Sequence, residues 1–165
     1  MAEHDIVERE LMKQKSATLH LIEIGEDGNP AEEVALTDMT RSACEATAGL
    51  YQRVGFHRPW IGYLAEEGGQ LVGMCGFKSP PKNGRVEIAY STTSGNEGRG
   101  IATQAARQLV QMAQETEPGI TVVAQTLPEE GASTAILRKL GFVLAGTVHH
   151  PEDGDVWEWC LEADS

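Results

Sequence analysis

The stretch from Tyr90 to Thr103, Y-S-T-T-S-G-N-E-G-R-G-I-A-T, constrains this chain more than any other. A β-rich run, Arg85–Tyr90, empties into a loop of small residues, and the loop opens onto a helix predicted from Ile101 to about Glu115. Strand, glycine-rich turn and helix N-terminus together form an anion cradle. Backbone N–H groups point outward, and the helix dipole adds about half a positive charge. Two phosphate loops are excluded by their chemistry. A Walker loop needs Lys and then Ser or Thr after its last glycine, whereas Ile101 and Ala102 follow Gly100. The dinucleotide turn wants Gly or Ala at its last position, where Gly98-R-G-I-A-Thr103 has Thr.

Composition sets the frame for that loop. With 165 residues, 41% hydrophobic and 5% aromatic, the chain is long enough for one domain with a sizeable core and short for two. No apolar run reaches membrane-spanning length, so no membrane partner is expected. The N-terminus lacks a secretory leader's basic and apolar regions, which places the expected location in the cytoplasm. Cys44, Cys75 and Cys160 share no metal-ligand spacing and read as reduced, buried thiols. A net charge of −12 argues against a nucleic-acid partner. It is compatible with steering a cationic amine toward the protein, although solubility alone accounts for it more simply.

Periodicity gives an α/β order. Thr18–Ile24, Trp60–Glu66, Gln70–Phe77, Arg85–Tyr90, Ile120–Gln125, Phe142–Val148 and Val156–Leu161 read as strands. Glu67-Gly68-Gly69 signals a hairpin. The acidic, alanine-rich stretch Ala31–Tyr51 reads as one or two helices, with Asp38 as N-cap of the second. In helix Ile101–Glu115, Ala102, Ala105, Ala106, Leu109 and Ala113 form one stripe. A shorter helix spans Ala132–Leu140, and Trp157, Trp159 and Leu161 share a strand face. Residues 1–16 read as a polar tail or short helix.

The hexapeptide 97–102, E-G-R-G-I-A, resembles the Q/R-x-x-G-x-G/A coenzyme A pyrophosphate loop of the GNAT N-acetyltransferase superfamily. Residues 130–142, E-G-A-S-T-A-I-L-R-K-L-G-F, resemble that family's N-x-x-S-x-x-x-L-x-K-L-G-F helix and exit. The segments 76–81, 86–90 and 152–159 are similar to the RimJ/RimL-type branch, and order and spacing agree over roughly Thr18–Leu161. The resemblance implies an α/β (α+β) GNAT fold. Its mixed sheet has about six to seven strands, splayed at the acetyl-CoA site and flanked by about four helices. Residues 17–165 would form the single acetyltransferase domain.

The activity so implied is direct acetyl transfer from acetyl-CoA, as co-substrate, to a protein N-terminal amine or a small amine, with no metal. Phosphates would rest on backbone N–H groups of Gly98, Arg99, Gly100, Ile101, Ala102 and Thr103. The Arg99 side chain either adds a phosphate contact or is solvated. A backbone N–H near Tyr90 or Ser91 would polarise the thioester. Glu87 is the candidate base, or else a structural strand carboxylate. Ser133 would face the thiol, or else cap its helix. No tyrosine occupies the helix where an acid might be sought, so that role is unassigned.

Two residues depart from the family pattern. Glu97 stands where Gln or Arg is usual and Glu130 where Asn is usual. Unit charges about 4 Å apart repel by roughly 4 kcal/mol at an effective dielectric of about 20, so both should turn away from phosphate. They keep open a second reading, a non-catalytic acyl-CoA sensor or assembly module. Arg53, His57, Trp60 and Tyr63 are pocket candidates for the acceptor. His149, His150 and the following carboxylates read as a solvated hairpin rather than a metal site. A homodimer is the commonest assembly for a soluble enzyme.

Overall fold

Among the described residues, alternating apolar and polar residues build seven strands, which hydrogen-bond into one sheet of order β1-β2-β3-β4-β5-β7-β6. A computed structural model of the protein describes residues 18–163; the expected tail, residues 1–16, lies outside the described residues. The elements are β1 (His20–Glu23), α1 (Asp38–Val54), β2 (Gly62–Glu67), β3 (Gln70–Phe77) and β4 (Arg85–Thr92). They continue with α2 (Ile101–Thr116), β5 (Thr121–Thr126), α3 (Ala132–Lys139), β6 (Val143–His150) and β7 (Gly154–Leu161). All neighbouring strands are antiparallel except β4 and β5.

The described residues hold three helices, not about four, because residues 31–37 are not helical. The cap of α1 is Thr37 rather than Asp38, which is the first helical residue. Thr37 N–H donates to Thr40 Oγ1 at 2.8 Å and Thr37 Oγ1 accepts from Thr40 N–H at 3.2 Å, a reciprocal capping box. Asp38 instead complements the helix dipole from the first turn. The β2–β3 hairpin turns on Gly68 and Gly69, both at positive φ, as a two-residue loop requires.

The helix α2 buries Ala105, Ala106, Leu109 and Ala113 on the main core, and their small size lets the helix lie close to the sheet. The other face of the first strands, with Ile22, Ile24 and Leu64, packs under Cys44 of α1.

One break in the sheet creates the functional region. β4 and β5 pair at only three positions, Arg85↔Thr121, Val86↔Val122 and Glu87↔Val123. From Ile88 to Thr92, β4 is paired, among the described residues, with β3 alone. The Glu87 carbonyl accepts from Lys78 N–H and Thr93 N–H donates to the Val72 carbonyl, each at 2.9 Å. Strand alternation therefore turns the backbone groups of Ile88, Tyr90 and Thr92 toward the gap that β5 leaves. Those groups form a free strand edge.

Candidate active site

The loop after β4 opens the gap into a cradle. Gly98 and Gly100 sit at φ 79° and 78°, a left-handed conformation that glycine adopts without steric cost. Among the described residues, no atom lies within 4 Å of where a side chain would start at either residue. Gly100 caps α2 without any side-chain bond to the first turn, and that turn holds no acidic residue. The leading N–H groups of α2, at Ile101, Ala102 and Thr103, have no partner within the helix. They are donors for an anion.

A cavity of about 440 Å³ lies over this turn. It is walled by Tyr90, Ser91 and Thr92, by Glu97, Gly98 and Gly100 to Thr103, and by Ala132, Ser133 and Ile136 of α3. The sequence-predicted residues Tyr90, Ser91, Gly98, Gly100, Ile101, Ala102, Thr103 and Ser133 thus meet in one place. Arg99 does not line the cavity; its guanidinium donates to Asn96 Oδ1 at 2.6 Å and pairs with Glu67. An uncapped helix N-terminus beside a free strand edge fits coenzyme A. The first suits a pyrophosphate and the second an amide-bearing arm.

The two unusual glutamates are both engaged. Glu97 Oε2 accepts from Gly95 N–H at 2.8 Å, curling back on its own loop. Glu130 binds Arg138 through both guanidinium nitrogens and accepts from Thr134 Oγ1 at 3.0 Å. The Arg138 bond first, then the Thr134 bond, hold the Glu130 carboxyl below the usual carboxylate range. Gly131 caps α3, and Gly131 N–H donates to Thr134 Oγ1 at 2.9 Å. Ser133 makes none of these capping bonds.

A second cavity, of about 310 Å³, opens on the α1 face. Ala43, Thr47 and Leu50 of α1 cover it, and Gly62, Met74, Gly76, Lys78 and Ala89 lie beneath. It shares Tyr90 and Ser91 with the first cavity, so the two meet on β4. Of the four acceptor candidates read from sequence, Tyr63 lines it. The Tyr63 hydroxyl donates to the Pro59 carbonyl at 2.7 Å, and burial raises its phenol above the ordinary value. Trp60 is buried, with its ring 5.0 Å from that of Phe77, which lines the cavity. Arg53 and His57 are exposed and line neither cavity.

Glu87 also lines neither cavity; its Oε2 lies 2.5 Å from the Lys78 ammonium, and Lys78 does line the second. Burial pushes the Cys75 thiol and the Tyr90 phenol each up to about 12, so both stay protonated at neutral pH. His149 bonds Asp155 at 2.7 Å and His150 bonds Gln125 at 2.9 Å. Among the described residues, no helix is long and apolar enough to cross a membrane.

Sequence reasoning missed Thr47, Leu50, Met74, Gly76, Lys78 and Ala89. They come from α1, β3, β4 and the residue just after β3, and only strand register together with helix packing assembles them.

Comparison with known proteins agrees with this geometry. Residues 12–143 match the family model described as acetyltransferase (GNAT) domain. An uncharacterized N-acetyltransferase, p20 of Bacillus licheniformis, is 28% identical over 90 residues, 54% of this chain and 51% of the relative. The match thus spans about half the length of that curated relative. Among solved structures, RimL, a ribosomal L7/L12 α-N-protein acetyltransferase in complex with coenzyme A, superposes with TM-score 0.67 at 20% identity. That match covers 90% of this chain and 96% of RimL. The microcin C7 self-immunity acetyltransferase MccE, in complex with acetyl-CoA and AMP, superposes with TM-score 0.61 at 19% identity, covering 75% of this chain and 70% of MccE. At such identities the structural likeness is one of fold.

Proposed function

This chain belongs to the GNAT acetyltransferase family, and we propose that it transfers the acetyl group of acetyl-CoA to a primary amine, on a protein N-terminus or a small molecule. The observation that carries this reading is the meeting of the two cavities at Tyr90 and Ser91, beside the unpaired edge of β4. One cavity suits an anionic cofactor and the other an acceptor, and only that strand separates them.

Bound acetyl-CoA supplies an activated acyl carbon; the amine nitrogen bonds to it, the C–S bond breaks, and the thiolate leaves and takes a proton. The chain's residues hold and orient the reactants. The backbone N–H groups of Gly98 and of Gly100 to Thr103 cradle phosphates, reinforced by the α2 dipole. Tyr90, rather than Ser91, has its backbone N–H directed into the gap, and it is the donor for the acyl oxygen. Glu87 takes the amine's proton through a water. Its side chain lies on the same face of β4 as Ala89, which lines the acceptor cavity. Ser133, on the α3 wall, faces the sulfur. The protein acts in the cytoplasm, without a metal, as a single domain over residues 17–165.

The Glu87–Lys78 ion pair favours a second reading, in which the domain binds acyl-CoA as a sensor without transferring it. Glu87→Gln separates the two. A catalytic base predicts a fall in turnover of about 100-fold, with an altered pH profile and unchanged cofactor affinity by calorimetry. Unchanged turnover and an unchanged pH profile would remove Glu87 from the mechanism. No thiol release by the wild-type chain with any amine or peptide would leave the sensor.

A further inference from the structure

We infer that the acceptor is a primary monoamine with an uncharged, largely apolar body, selected by a transverse row of side-chain-poor residues, Gly62, Gly76 and Ala89. This rests on the acetyltransferase reading above and names the substrate class of that same site.

The row is a product of register. Gly62 pairs with Gly76 across β2 and β3, and Gly76 pairs with Ala89 across β3 and β4. All three line the acceptor cavity. At the two glycines neighbouring atoms approach so closely that larger residues are excluded. A Cβ on Gly76 would lie 2.8 Å from Gly62 Cα and 2.8 Å from the Ile61 carbonyl oxygen. One on Gly62 would lie 2.8 Å from Thr47 Cγ2 of α1. The floor is therefore bare backbone and one methyl group, with Leu50 of α1 also lining the cavity. The Thr47 methyl therefore closes the row over Gly62, and its open part runs from Gly76 to Ala89, one strand spacing of about 4.8 Å. It ends at β4, where the cofactor cavity begins. An apolar chain or flat ring laid along the row brings its terminal nitrogen to the acyl carbon.

Charge narrows the class further. Among the described residues, none that lines this cavity is acidic. Its one charged residue is Lys78, and the Glu87 carboxylate already answers that charge. A second ammonium on the acceptor would lose its water and find no free carboxylate, which is costly. The chain's net charge of −12 attracts cations in general, yet places no unpaired acid here. The single ammonium that does enter meets apolar walls that disfavour its charged form. Desolvation thereby favours the neutral, nucleophilic amine next to β4.

The test compares 2-phenylethylamine with 1,4-diaminobutane, using the full chain and acetyl-CoA. Thiol release gives kcat/KM, and calorimetry in the presence of coenzyme A gives amine affinity. The inference expects roughly tenfold or greater preference for 2-phenylethylamine in both readouts. Ala89→Leu, which fills the row, should weaken 2-phenylethylamine by a further factor of roughly ten or more, with coenzyme A affinity within about twofold. Ala89→Val, a milder filling, should fall between and serves if the leucine variant does not fold. Equal or better use of the diamine, or indifference of 2-phenylethylamine to both Ala89 variants, overturns the inference; so does failure of 2-phenylethylamine to bind. Thiol release without that selectivity would sink the inference and leave the acetyltransferase reading standing. Selective, Ala89-sensitive binding without thiol release would do the reverse.

Discussion

The two cavities that meet on β4 are built in opposite ways. The cofactor cavity draws most of its lining from one segment, between residues 90 and 103, completed by three residues of α3. The acceptor cavity gathers residues from β2, β3, β4 and α1, and part of its shape is the absence of side chains at Gly62 and Gly76. A backbone site depends on local conformation, which glycines and a helix start dictate. A site of converging faces depends on register and on which helix lies above it. The first should tolerate side-chain exchange and fail on backbone change, and the second should do the reverse.

The largest expected effect tests the backbone half. Gly100→Val puts a β-branched residue at φ 78°, where such residues are outliers, and should lower coenzyme A affinity on the order of 100-fold by calorimetry. Retained affinity would mean that side chains, not main chain, hold the phosphates. A smaller effect concerns the burial that shapes the acceptor half. Folding raises the Cys75 thiol from 9.0 to about 12 by burial alone. Above about pH 9 the unfolded chain therefore gives up a proton that the folded chain keeps. Stability from this group is full below that pH and is lost progressively toward pH 12. The melting-temperature gap between wild type and Cys75→Ala should accordingly shrink from pH 8 to pH 11. A constant gap would show that Cys75 is not sequestered.

The smallest effect returns to the cofactor side, at the carboxylate just before α3. Arg138→Gln frees Glu130 from its bidentate partner, two residues from the cavity wall at Ala132. Coenzyme A affinity should fall about threefold to tenfold at low salt, less at high salt, and recover when Glu130→Gln is added. An additive double variant would place Glu130 too far away to matter.

Much of the fold was legible because its signals are local. The β3 boundaries agree with the alternating pattern, and the start of α2 agrees with the glycine turn. The stretch from 31 to 37 reads as helix in sequence and is not helical, since alanine and glutamate favour helix while the Thr37–Thr40 capping box delays its start. The insertion of β7 between β5 and β6 was invisible, because alternation says which face is buried and not which strand lies alongside.

By itself the sequence determined a backbone anion cradle, since glycines at positive φ and an uncapped helix start make one wherever they occur together. Tertiary structure alone decided what lies across β4 from it. The three-residue pairing with β5 exposes the strand edge, and the Gly62–Gly76–Ala89 register clears the floor beside it. The physical reason is one of range: main-chain conformation is set by neighbours in sequence, whereas a cavity is the space between elements that meet only once the chain is packed.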